Sequence, residues 1–383
     1  MDDALDQVPS SQAAPLAVAL LNYNGDEFVR RCVHSLQRQT VLPQRILYID
    51  NGSRVFDEVS VRAVFGPRFE DRLGVLRIEK NAGYAGGFNA GLSRVMDDAT
   101  SPGWVMTLSN DTELDPRFFE RLLPLLQDRR EAAPGKIGML APKVRAMDAR
   151  DVLDGTGLAI CLDGMSTARG QNEIDRGQYD RLPDVLAPNG VAALYRVEML
   201  RDVGFLDEDF GFYCEDTDLG LRGWLAGWDC RFVPESIVYH QRSSTIGMKN
   251  LGKLFAVERN HYWVALKNFP APLLVLSPFL TVYRFALQAV AVFSRRGQGA
   301  VFGAELGLFR LVAVTLKGIL AAMAGAPRMT RKRWRQFRVQ RRSLGEVMLI
   351  LWMKRLRFHD LILRSAPGAT PAKGHVEHGK LRA

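Results

Sequence analysis

Three carboxylates, Glu215, Asp216 and Asp218, fall within residues 212–222, FYCEDTDLGLR, between an aromatic run and an apolar helix-like segment. Like charges that close raise each other's pKa, and flanking Phe210, Phe212, Tyr213, Leu219 and Leu221 point to partial desolvation, which acts in the same direction. That environment suits a general base. The alternative is a solvated helix N-terminus, where acids offset orphan amides and the macrodipole. A second acid, Asp111, follows the apolar residues 104–108 and two small polar residues. Its oxygens suit Mg²⁺ or Mn²⁺, which takes one or two carboxylates plus substrate phosphates; capping a helix near Pro116 is the other reading. His240, after strand-like residues 236–239, either completes that site or is structural. Residues 81–89, NAGYAGGFN, form a glycine-rich junction that either lets backbone amides approach a phosphate or lets a helix pack closely. It is neither GxGxxG nor a P-loop, which argues against dinucleotide binding and ATP hydrolysis.

These residues need elements to hold them. Apolar residues 16–23 stop at Asn22-Tyr23-Asn24-Gly25, after which Phe28, Val29, Cys32, Val33 and Leu36 recur at helical spacing. The pattern repeats: residues 46–49 end at Asp50-Asn51-Gly52-Ser53, 75–78 end near Asn81, and 104–108 end at Ser109-Asn110-Asp111. Short apolar strands separated by helices predict a mostly parallel sheet covered on both faces, with ligands beyond the strands' carboxyl ends. Residues 138–240 continue the same domain.

The chain has 383 residues, 47% of them apolar, and a net charge of +9. Eight cations and no acid lie between residues 328 and 342, so the basicity is largely C-terminal. Cys32, Cys161, Cys214 and Cys230 lack CxxC spacing, which points to a reducing compartment rather than to zinc or disulfides. Residues 1–15 are polar and acidic, without the apolar core of a secretory leader. Residues 272–293 carry one charge, Arg284, and residues 301–325 carry three, Glu305, Arg310 and Lys317, which fall on one helical arc. With the basic run behind them, they read as an in-plane amphipathic hairpin at an anionic membrane surface. A buried helical subdomain is the alternative; nucleic-acid binding lacks a motif. The tail from Ser365 reads as disordered.

In order, NYNG (22–25), DNGS (50–53), NAGYAGGFNAG (81–91), LSND (108–111), GFLDEDFGFYCEDTDLGLR (204–222), VYH (238–240) and ERNHYW (258–263) resemble the inverting family 2 glycosyltransferases, in particular their bacterial rhamnosyltransferase-like branch. The resemblance spans roughly residues 16–270. It implies an α/β GT-A nucleotide-diphospho-sugar transferase fold over 16–270, with a mostly parallel sheet and helices on both faces. A flexible tail (1–15) would precede it, and a C-terminal helical, amphipathic, membrane-associating region (271–364) and a disordered tail (365–383) would follow. It also implies that Asn22, Tyr23, Asp50, Asn81, Gly83, Asn110 and Asp111 bind the sugar donor and that Asp111 and His240 hold Mg²⁺ or Mn²⁺. Ser109-Asn110-Asp111 keeps only the last acid of the family's DxD-type motif. Asp216 matches the catalytic base with Glu215 beside it, and Gly190, Asp218 and Arg222 fall at the acceptor. The implied reaction moves a single deoxyhexose, L-rhamnose from dTDP-L-rhamnose, onto a saccharide or lipid-linked saccharide of a bacterial cell-surface glycan. It would occur at the cytoplasmic face of the membrane, without nucleic acid; the processive QxxRW signature is missing. A UDP-hexose, UDP-galactofuranose or UDP-N-acetylhexosamine donor, and a binding protein that has lost catalysis, are the alternatives.

Overall fold

The computed structural model describes residues 13–97, 102–128, 136–242, 251–294 and 307–362. Residues 1–12 and 363–383, which include most of the first expected tail and all of the second, lie outside the described residues, as does Glu305.

The buried apolar strand β1 (Ala14–Asn22) leads through a turn at Asn24, whose φ is 50°, into α1 (Asp26–Gln37). The unit recurs as β2 (Pro43–Asn51), α2 (Glu58–Phe65), β3 (Leu73–Ile78), α3 (Gly83–Met96) and β4 (Trp104–Ser109). There follow β5 (Thr112–Leu114), α4 (Phe118–Leu126), β6 (Lys136–Ala146), β7 (Leu153–Gly155), β8 (Leu158–Ile160), β9 (Ser166–Ala168), β10 (Asp184–Val185) and β11 (Ala192–Arg196). The chain continues as α5 (Val197–Val203), α6 (Glu215–Leu225) and β12 (Trp228–His240). Its C-terminal helices are α7 (Leu251–Asn268), α8 (Ala271–Phe293), α9 (Leu308–Phe337), α10 (Leu344–Met353) and the short α11 (Phe358–Ile362).

The main sheet runs β10-β12-β6-β11-β4-β1-β2-β3. β3, β2, β1 and β4 are mutually parallel, as are β6 and β12, while β11 is antiparallel to both β4 and β6. One face buries Val29, Val33, Phe65 and Phe118 from α1, α2 and α4; the other buries Phe88, Leu92, Met199, Leu219 and Trp224 from α3, α5 and α6. This two-sided burial explains the unbroken apolar runs of β1 and β4.

Glycines let α3 lie close on the sheet: a Cβ on Gly87 would stand 2.7 Å from Leu21 Cδ1, and one on Gly91 would collide with Ile49. The packing reading of residues 81–89 thus holds for Gly87, whereas Gly83, at φ 73°, forms the turn into the helix.

Helix α9 packs on α7 along small residues: Gly325 has no room for a Cβ beside the Trp263 indole, whose Nε1 donates to Ala322 O at 3.0 Å. Both α8 and α9 are long and apolar enough to cross a membrane by length and composition. Yet α8 is tied inward at its only charge. Arg284, 1% exposed, donates from Nε to Asp163 Oδ2 at 2.6 Å and from Nη2 to Glu258 Oε1 at 3.2 Å. The opposite face of α8 exposes Val275, Leu276, Phe279, Val282, Tyr283, Val290 and Phe293, without a charge. On α9, Phe309, Val312, Leu316, Leu320 and Met323 are exposed beside Arg310 and Lys317. All four cysteines are buried, and none is paired with another in a disulfide.

Candidate active site

The carboxyl ends of β1, β2 and β4 meet in register, Asn22 opposite Asp50 and Leu21 opposite Ser109. Asp50 is buried, and its Oδ2 accepts from Ser53 N at 3.2 Å. Its Oδ1 has no hydrogen-bond partner among the described residues. A buried carboxylate oxygen left unmatched costs about 1–3 kcal/mol or more, so this atom awaits a donor from a ligand or water. Tyr23, 40% exposed, stands at the mouth of the same edge.

Asn22 and Asn110 are engaged with the protein instead. Asn22 Oδ1 accepts from Asn110 Nδ2 at 2.6 Å and Gly25 N at 3.2 Å, and its Nδ2 donates to Tyr48 OH at 2.8 Å. Expected at the donor, they fasten the ends of β1 and β4 together. Asn51, which sequence reasoning passed over inside its DNGS motif, performs the same task for β2 and α3. It accepts from Ala82 N at 2.9 Å and donates to Gly83 O at 2.9 Å and Asn81 Oδ1 at 3.2 Å. Asn81 Oδ1 also accepts from Gly83 N at 2.8 Å, so Asn81 shapes the glycine turn.

Where β5 and β12 pair, Thr112 stands opposite His240, and Gln241 N donates to Asp111 O at 2.9 Å. This pairing brings His240 Nε2 to 3.6 Å from Asp111 Oδ2, while Nδ1 lies 2.6 Å from Asp154 Oδ2. Burial lowers the histidine's pKa, but Asp111 and Asp154 outweigh it and lift the value to about 9. Two carboxylates flanking one imidazole make a pocket suited to positive charge, and a metal at Nε2 would take the place of the proton there. Asp154 binds the nitrogen remote from Asp111, the arrangement that orients a metal-ligating histidine. Arg242, with Nε 2.8 Å from Asp154 Oδ1, fixes Asp154 in turn. Nothing in the sequence around Asp154 marked it, because it arrives only through the pairing of β7 with β6.

β11 begins beside the end of β4, where Ser109 N donates to Val191 O at 3.0 Å, so Gly190 lies at this same edge. Gly190 N donates to Asp216 Oδ2 at 3.1 Å and Thr217 N to Asp216 Oδ1 at 2.7 Å, while Tyr84 OH donates to Gly190 O at 2.5 Å. A Cβ on Gly190 would come 2.6 Å from that hydroxyl. Asp216 is half-buried, with its carboxylate held by backbone amides. Burial raises its pKa against the lowering by the Thr217 and Gly190 amides. Glu215 is more fully buried, and burial and then the Asp216 charge raise its pKa.

Residues 13–261 match the family model described as "Glycosyltransferase like family 2". The chain belongs to this family. Among curated relatives, the N-acetylglucosaminyl-diphospho-decaprenol L-rhamnosyltransferase of Mycobacterium tuberculosis (strains CDC 1551 / Oshkosh and ATCC 25618 / H37Rv) is 27% identical over 263 residues, 64% of this chain and 82% of the relative. Among solved structures, the mannosyltransferase PcManGT from Pyrobaculum calidifontis in complex with GDP-Man and Mn²⁺ is 14% identical with a TM-score of 0.49, over 83% of this chain and 88% of that one. GalNAc-T7 with UDP, GalNAc and Mn²⁺ is 17% identical with a TM-score of 0.49, over 67% of this chain but only 48% of its own. For a chain of this family, the mixed sheet covered by helices on both faces accords with the GT-A fold that the motifs implied.

Within this glycosyltransferase frame, two expected acceptor residues are displaced. Asp218, 0% exposed, accepts from Lys267 Nζ at 2.8 Å, Arg222 Nε at 2.8 Å and Asn268 Nδ2 at 2.9 Å. Arg222 spends its remaining donors on Val203 O and Phe205 O, each at 2.5 Å. Neither side chain reaches the open edge. Two positions along a helix turn the side chain by about 200°, so Asp218 faces α7 when Asp216 faces the cleft. Nor does Asp218 cap α6, whose N-cap Cys214 makes no side-chain cap bond. Glu215 also points inward, and its Oε2 has no hydrogen-bond partner among the described residues.

Proposed function

We propose that this glycosyltransferase is a non-processive, inverting enzyme that moves L-rhamnose from dTDP-L-rhamnose to a lipid-linked saccharide, with Asp216 as general base. The observation that carries the reading is the half-buried Asp216 carboxylate, aimed by the Gly190 and Thr217 amides at the edge that also holds Asp111 and His240. The name of the mycobacterial relative supports both the sugar and the kind of acceptor.

In the proposed reaction an acceptor hydroxyl oxygen attacks the anomeric carbon, forming the new C–O bond as the bond to the diphosphate oxygen breaks. The hydroxyl proton passes to Asp216, and the electron pair leaves with the nucleoside diphosphate. One displacement from the opposite face inverts the centre. Asp50 Oδ1 accepts an N–H from the base of the nucleotide, and Tyr23 covers it. Asp111 and His240 would hold Mg²⁺ or Mn²⁺, which when bound would supply charge neutralisation on the diphosphate. Their donor set, one carboxylate and one carboxylate-oriented imidazole, fits an ion that keeps its other positions for phosphate and water.

Donor hydrolysis and thermal shift across dTDP-rhamnose, UDP-hexoses, UDP-galactofuranose and UDP-N-acetylhexosamine, with and without Mn²⁺, test this directly. dTDP-rhamnose is expected to be consumed fastest, with loss of turnover on chelation. Consumption of a UDP-sugar instead overturns the donor, and stabilisation without consumption overturns catalysis.

The region 271–364 is proposed as the membrane-docking part, beside a transferase domain over 16–270. Because Arg284 is committed inward, α8 lies in the plane of the cytoplasmic leaflet and presents Val275, Phe279, Val282 and Phe293 to lipid, while α9 adds Arg310 and Lys317 for anionic headgroups. Phe279→Glu and Phe293→Glu are each expected to lower partition onto anionic vesicles by about tenfold or more without changing the melting temperature. Unchanged partition for both sinks the docking face.

A further inference from the structure

We propose that Asn260, on α7, is a positioning residue that holds the turn delivering Asp216. The inference rests on the reading of Asp216 as the base. Immediately before α6, Tyr213 and Cys214 both adopt left-handed backbone conformations, with φ of 69° and 70°. Side-chain-bearing residues avoid that region, so two in succession persist only where surroundings enforce them. No side-chain cap at Cys214 does so.

The enforcing group is the Asn260 amide. Its Nδ2 lies 3.0 Å from Phe210 O, 2.8 Å from Phe212 O and 2.7 Å from Tyr213 O, so its two hydrogens are shared among three carbonyls of the turn. Its Oδ1 accepts from Arg259 Nε at 2.8 Å, which fixes the amide's orientation, and Arg259 Nη2 adds a bond to Phe210 O at 2.8 Å. Asn260 is fully buried. It stands on a rigid base: Trp263, one turn on, packs edge-on against Phe210 and is bonded to α9. Every carbonyl it grips lies within six residues of Asp216, so the clamp acts on the angle at which α6 starts. That angle sets where Asp216 meets Gly190 N and the acceptor hydroxyl.

The test uses the full-length protein with Asn260→Ala and the isosteric Asn260→Asp, which keeps the shape but presents acceptors to three carbonyls. Turnover of the nucleotide sugar that the wild type consumes is measured beside binding of its nucleoside diphosphate and the melting temperature, with Asp216→Asn in parallel. The expected result is a fall in kcat on the order of 10²-fold, as for a catalytic group displaced by about 1 Å, with nucleotide affinity unchanged. If Asn260→Ala does not fold, Asn260→Ser, which keeps one donor, is read by the same split. Normal kcat in the variants beside an inactive Asp216→Asn overturns the clamp alone. Loss of kcat only in proportion to lost nucleotide binding reduces Asn260 to a structural residue and overturns it too. An active Asp216→Asn overturns the base and the clamp together.

Discussion

Asp216→Asn lowers turnover by about 10²–10⁴-fold and leaves nucleotide affinity unchanged, the span that general-base catalysis contributes. Asparagine fills the same space but cannot take a proton, and its NH₂ must face either Gly190 N or Thr217 N where each carboxylate oxygen now accepts. The lost bond costs stability about 1 kcal/mol, far too little to explain such a loss of rate. The same carboxylate sets a pH dependence. Only ionised Asp216 accepts a proton, and its pKa is raised above the ordinary 3.8 by burial, so kcat/KM falls on the acid side at a pH above the ordinary aspartate range. Initial rates of nucleoside diphosphate release across pH check both statements; near-normal turnover of the variant would remove Asp216 from the mechanism.

Asp218→Ala, two residues away, is expected to destabilise the fold by about 3–5 kcal/mol, a fall in melting temperature on the order of 10 °C. The substitution strips Lys267 of one of its two carboxylates, the other being Asp207 at 2.6 Å, and leaves Arg222 and Asn268 without their acid. Burial works against the Asp218 charge, but Lys267 and Arg222 outweigh it and hold the pKa below the ordinary value. A depressed folded-state pKa contributes stability above the unfolded value of 3.8 that is lost as pH falls through the lower folded value. The gap between variant and wild type therefore stays constant from about pH 8 to about pH 5 and closes only in stronger acid. Folded Asp218→Ala protein should retain wild-type nucleotide affinity, in contrast to an acceptor-binding role. Calorimetric melting at several pH values reads the effect, and a shift below about 2 °C contradicts it.

Much of this was legible from residue order. The apolar runs at 46–49, 75–78 and 104–108 lie in β2, β3 and β4, the run at 16–23 overruns β1 by one residue, and each ends at the turn residues that mark it. Strand and helix periods are local properties, recorded wherever one face is buried. The mostly parallel sheet followed from them, and the ordered motifs added the family. Asp216 stands out because acids crowded beside aromatic residues are costly wherever the chain goes, Asp111 because a strand-end carboxylate suits a divalent cation, and Asp50 enters through the resemblance.

The sequence determined which residues had reason to be polar at one edge of a sheet, since turn chemistry and burial period act over a few residues. Tertiary structure decided what each of them touches. Asn22 and Asn110 bond each other across 88 positions, Asp154 reaches His240 across 86, and Asp218 meets Lys267 across 49. Likewise, hydropathy marked 272–293 as a lipid-seeking helix, but only the fold turned Arg284 inward to Asp163. The reason is physical: desolvation belongs to a residue's own neighbourhood, whereas the partner that compensates a buried charge is chosen by strand pairing and helix packing. The three acids at 215–218 look alike in the chain, and helix rotation together with α7 separates a cleft-facing carboxylate, a buried neighbour and a structural anchor.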